Sequence, residues 1–67
     1  MKNTSPYHVI FEVLEINEKL QPGSTIEIGE RFVGEYHPAK NSIFFEDVNN
    51  QEWWFKVGKN CLIILSF

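Results

Sequence analysis

The apolar positions of this chain fall into short β-branched and aromatic blocks separated by turn residues, with no helical or heptad period. The densest block runs from Glu52 to Leu65 and holds both tryptophans. It reads as two strands, Glu52–Val57 and Asn60–Phe67, reversed tightly at Gly58-Lys59. Glycine at the first position of a two-residue loop suits a type II′ hairpin turn. Tyr7–Ile16 predicts a long first strand. Tyr7, Val9, Phe11 and Val13 share one face, while Ile10, Leu14 and Ile16 share the other with His8 and Glu12. A strand apolar on both sides bends and serves two layers of a small barrel.

Between these ends the punctuation is clear. Asn17–Leu20 is expected as a short helical turn, and Pro22-Gly23 as a type II turn. Thr25–Ile28 alternates as a short strand that Gly29-Glu30 ends. Arg31–Tyr36 is the next strand, with Gly34 as a bulge or bend. His37–Asn41 is a loop, and Ser42–Glu46 is another strand. The pattern predicts one all-β domain over residues 7–67, after a loose tail at 1–6, with five to six mainly antiparallel strands in a small barrel or roll.

Register decides which side chains face outward. A two-residue Asn49-Asn50 turn mixes charged and apolar groups on both faces of the Ser42–Glu46/Glu52–Val57 hairpin. An odd-length loop, closed by an Asn in the left-handed region, pairs Phe45 with Trp53, Phe44 with Trp54, Ile43 with Phe55 and Ser42 with Lys56. This register segregates the faces and is preferred, although it sets Glu46 against Glu52. Continued through Gly58-Lys59, it pairs Phe55 with Leu62 and Trp53 with Ile64 inside. Trp54 with Ile63 and Lys56 with Cys61 then lie outside, with Leu65 beside Glu52. The expected core is Val9, Phe11, Val13, Ile26, Ile28, Phe32, Ile43, Phe45, Trp53, Phe55, Leu62 and Ile64. The second face, with Phe44, Trp54, Lys56, Ile63 and Leu65, is either covered by Ile10, Leu14 and Ile16 or is a docking surface. Cys61–Leu65 is uncharged and β-prone, so it is expected in a central strand or paired with a second copy.

Composition narrows the classes of function. The chain has 67 residues, a size that buries only about 60% of its unfolded surface. It has one cysteine, so no internal disulfide supports it. At 43% hydrophobic and 15% aromatic it has enough apolar mass for a folded domain. The first six residues lack an apolar segment, so no secretory leader is expected, and no apolar run is long enough to cross a membrane. A lone cysteine fits a reducing cytoplasm. Net charge is −3, with the acidic excess in the first half, which argues against a duplex-binding protein.

The sequence contains no catalytic constellation. His8 and His37 are far apart, and Cys61 sits in an apolar run with no base nearby. Cys61, His8 and His37 lack ligand spacing, and Glu46, Asp47 and Glu52 read as a solvated turn rather than a metal loop, so no metal or cofactor is expected. The glycines make no phosphate-binding pattern. A non-enzymatic protein-binding module is the favoured reading, an adaptor or inhibitor that engages a protein partner or forms a homodimer. The Lys/Asn/Ile-leaning usage suits a phage or mobile-element product. The alternatives use nucleic-acid chemistry. Phe44 and Trp54 with Lys40, Lys56 and Lys59 can stack single-stranded bases. Glu12, Glu15, Glu18, Glu27, Glu30 and Glu35 can imitate a phosphate backbone.

Leu20–Ile28 and Glu52–Phe55 loosely resemble pieces of SH3-type barrels, in which a Pro/Gly turn precedes one strand and a Trp pair opens another. The resemblance implies an SH3-like roll. An additional strand between the two pieces and the missing acidic loop and closing Pro-Ser-Tyr pattern depart from that family. No peptide-binding site is carried over.

Overall fold

The computed structural model describes residues 5–16 and 26–67. The expected turn at Asn17–Leu20 and the Pro22-Gly23 turn lie outside the described residues, as do residues 1–4 of the tail. Five strands form: β1 (Tyr7–Val13), β2 (Arg31–His37), β3 (Ser42–Glu46), β4 (Glu52–Lys56) and β5 (Cys61–Ser66). They make one antiparallel sheet in the order β4-β3-β2-β1-β5. The all-β expectation holds, with five strands. The strand expected at Thr25–Ile28 is absent from its described part, where Glu27–Glu30 instead forms a turn closed by Glu30 N–H on the Glu27 carbonyl.

Alternation sets the inner face. Val9, Phe11 and Val13 of β1, Ile43 of β3, and Trp53 and Phe55 of β4 are buried, together with Ile26 and Cys61. Phe11 is the hub, with ring centroids 5.3 to 6.1 Å from Phe32, Phe45 and Phe55. Trp53 stacks on Phe55 at 5.6 Å and 6°. Three members of the expected core are exposed instead: Ile28, Leu62 and Ile64. Ile28 lies in the Glu27–Glu30 turn, where no partner strand covers it.

The other two follow from an incorrect partner for β5. β4 and β5 do not form a hairpin; they are the opposite edges of the sheet. β5 pairs with β1, matching Val13 to Cys61, Glu12 to Leu62 and Phe11 to Ile63. That pairing turns Cys61 and Ile63 inward and Leu62 outward, the reverse of the expected faces. A bulge between Ile10 and Phe11 leaves Ile64 as the extra residue.

The connection also shows how far the sheet curls. A flat five-stranded sheet puts its edges roughly 19 Å apart. Here the turn after β4 is compact, with Lys59 and Asn60 N–H both donating to the Lys56 carbonyl, at 3.1 and 2.9 Å. Such a turn holds its ends within about 7 Å. The edges therefore meet at this corner, through the parallel bridge Val57–Cys61 and the Gly58 N–H on the Cys61 carbonyl at 2.8 Å. The pairing describes a roll joined at one corner rather than a barrel with a continuous closing ladder.

Gly34 is where β2 packs most closely on the core. A Cβ there would stand 2.6 Å from Ile43 Cγ2, 2.8 Å from Phe11 Cε1 and 3.0 Å from the Phe44 carbonyl oxygen. Its pairing with Val9 is regular, so close packing rather than the expected bulge requires glycine.

Candidate functional site

The hairpin that sets the candidate site has the expected odd-loop register. Phe45 pairs with Trp53, Phe44 with Trp54, Ile43 with Phe55, Ser42 with Lys56, and Glu46 with Glu52. Asn50 closes the loop with φ 62°. Neighbouring indoles consequently point opposite ways. Trp53 is 1% exposed and Trp54 is 44% exposed.

Asp47, expected as a solvated turn residue, holds this geometry from within. It is buried, and its Oδ2 accepts the Trp53 Nε1–H at 3.1 Å. Its Oδ1 accepts the backbone N–H groups of Asn49 at 2.8 Å and Gln51 at 3.0 Å. An Asp opening a turn two residues before Asn is the sequence signal for such an Asx turn. The Trp six positions on is the added partner.

On the outer face Trp54 sits in an aromatic and basic cluster. Phe44 lies beside it on β3, ring centroids 5.3 Å apart, and His37 at the end of β2 is 5.0 Å away at 60°. Lys40, from the loop between β2 and β3, places Nζ 4.6 Å from the Trp54 ring centroid. Lys56 is on the same strand and face as Trp54, two residues on, and is exposed. His37 Nε2 in turn lies 2.9 Å from Glu35 Oε1. Phe44, Trp54 and Lys56 thus come together as expected.

Ile63 and Leu65 do not join them. Ile63 packs against the core from β5, and Leu65 is exposed on that same strand, at the far edge of the sheet from Trp54. Leu65 pairs with Ile10, and Ile10 pairs with Val33, so a second, aliphatic outer cluster forms on β5, β1 and β2. Ile10 and Leu14 do not cover Trp54, because β1 belongs to the same sheet, three strands away from β4. Ile16 packs against the core instead.

A shallow groove of about 290 Å³ opens where the β2–β3 pairing ends at Glu35–Phe44, with His8, Glu46 and Val33 along its walls. Among the described residues no group of three His, Cys, Asp or Glu side chains can hold a metal ion. Among the acids, Glu12 Oε1 takes Arg31 Nε at 3.1 Å, and Glu30 Oε1 takes the Glu27 backbone N–H at 2.8 Å, while Glu18 lies outside the described residues. Burial pushes the Cys61 thiol up to about 11, which keeps it protonated and unreactive near neutrality. Among the described residues no helix is long and apolar enough to cross a membrane. Comparison with protein-family models, curated proteins and solved structures finds no match to this chain.

Proposed function

We propose that this chain is a small non-enzymatic protein-binding module, an adaptor or inhibitor, that docks through the aromatic corner of Trp54, Phe44 and Lys56. The observation that carries the reading is the division of the indole pair. One ring is sunk in the core and hydrogen-bonded, while its neighbour keeps 44% of its surface open at a sheet edge. Tryptophan offered in this way, framed by a second aromatic ring and by lysines, is the composition of a binding hot spot. The cytoplasm, and a phage or mobile-element origin, fit the lone thiol and residue usage.

Lys40 over the Trp54 ring favours a second reading, a stacking platform for single-stranded nucleic acid. Against it stand the net charge of −3 and the Glu46–Glu52 pair one row away on the same face. The test compares two variants. Trp54→Ala is expected to leave the melting temperature nearly unchanged and to abolish capture of a protein partner from lysate. Trp53→Ala is expected to unfold the domain, since deleting a buried Trp costs about 3–5 kcal/mol. Equal losses of melting temperature, with no separate loss of binding, would make Trp54 a packing residue. Salt-sensitive retention on single-stranded DNA would move the reading to nucleic acid.

A further inference from the structure

We infer that the aliphatic outer cluster on β5, β1 and β2 is a self-association surface, where a second copy of this chain packs in a symmetric dimer. The cluster uses no residue of the Trp54 corner. Leu65, Ile10 and Val33 form one cross-strand row, with Leu62 in a neighbouring row, Ile64 at the bulge of β5 and Phe67 just past the end of that strand, its N–H on the His8 carbonyl. Leu62, Ile64, Leu65, Phe67 and Val33 are between 42% and 72% exposed. Together they leave on the order of 500 Å² of apolar surface open, near the upper end of what a monomer carries as its largest patch.

Area and charge both point to a copy. A standard interface buries roughly 800 Å² per partner, about 65% of it apolar in homodimers, which is again on the order of 500 Å². A two-fold interface must also complement itself. β5 carries no charged residue, so any residue of the strand can face its own copy without like-charge repulsion. This matters for a chain of net charge −3, whose copies repel elsewhere. The charges lie in the two flanking rows: Glu12 with Arg31, paired at 3.1 Å, on one side, and His8 with Glu35, whose Oε1 is 2.9 Å from His37 Nε2, on the other. Discrimination for a different protein relies on placed charges and polar groups, and the row has none. The β5 backbone is a poor template for open-ended strand addition. The Cys61 carbonyl is taken by Gly58, and the bulge at Ile64 interrupts the edge. Packing of side-chain faces, which closes at two copies, is the association that remains.

Sedimentation equilibrium of the full chain, from low micromolar to sub-millimolar concentration, tests this. The wild type is expected to reach twice the chain mass. Leu65→Glu is expected to weaken dimerisation by roughly a hundredfold or more, because it buries a carboxylate at the contact, with the melting temperature of the monomer retained. Val33→Lys, on a different strand, repeats the test should Leu65→Glu fold poorly. Trp54→Ala is expected to leave the dimer intact, which keeps this inference separable from the binding role of the aromatic corner. A wild type that stays monomeric overturns it and leaves the cluster to a different protein. A dimer that survives both Leu65→Glu and Val33→Lys, or that is lost in Trp54→Ala, overturns it too.

Discussion

Asp47 is the single side chain on which the aromatic corner most depends. Its two oxygens satisfy one indole N–H and two backbone N–H groups, and it is itself buried. Asp47→Ala removes three acceptor contacts, of which the bond to the buried Trp53 indole N–H is the one water least replaces, and a hydrogen bond to a charged group is worth roughly 1.5–3 kcal/mol. The expected loss is about 2 kcal/mol, or roughly 10 °C in melting temperature for a domain of this size, read by calorimetry; a fall of only a degree or two would mean that solvent replaces the carboxylate. Cys61 gives the second prediction at this scale. Its folded pKa is raised to about 11 from 9.0. The unfolded thiol therefore ionises first as pH rises. Its contribution is fully present below about pH 9 and is lost progressively towards pH 11. Thiol labelling at pH 8 is expected to be slow in the native state and fast in denaturant; equal rates would place Cys61 at the surface.

At the scale of elements, the hairpin of β3 and β4 was legible in the sequence and the placement of β5 was not, and the reasons differ physically. Ile43, Phe45, Trp53 and Phe55 segregate onto one face only with an odd loop, so local alternation and one left-handed Asn determine the register. The turn at Gly58 looks the same from the sequence whether the next strand folds back on β4 or crosses to β1. That choice is made by long-range pairing of Val13, Phe11 and Ile10 with β5, most of the chain away. One misplaced strand reversed the faces of Cys61, Leu62 and Ile63 and merged two separate outer clusters into one. Gly34 was legible as special, but no bulge requires it; the requirement comes from Ile43 and Phe11 pressed against β2. Gly34→Ala is expected to cost about 1–3 kcal/mol through overpacking, because the Phe44 carbonyl is fixed by the sheet and cannot withdraw. Urea denaturation measures this; an unchanged midpoint would show that β2 has room to shift.

For the whole molecule, stability rests on bringing the two ends of one sheet together over a core that is small for its surface. The corner at residues 57–60 does this with a dense set of bonds. Asn60 donates its N–H to Lys56, and its carbonyl accepts the N–H groups of Leu14 at 2.7 Å and Glu15 at 3.1 Å, while Gly58 donates to Cys61. Three segments distant in sequence or in sheet order, β4, β5 and the end of β1, are thus tied at one point. Loop entropy alone makes lengthening a turn cheap, about 0.6 kcal/mol for each doubling. Inserting two glycines between Gly58 and Lys59 is expected to cost well beyond that, about 2 kcal/mol or more, because the added length releases several of these bonds at roughly 0.5–1.5 kcal/mol each. The same insertion between Val48 and Asn49 leaves the corner intact but disturbs the Asx turn at Asp47, so Asp47→Ala serves as its reference. Denaturant midpoints of the three variants decide the matter. If the insertion at Gly58 costs no more than loop entropy, the edges of the sheet are held by the buried side chains of the core, and the corner merely follows them.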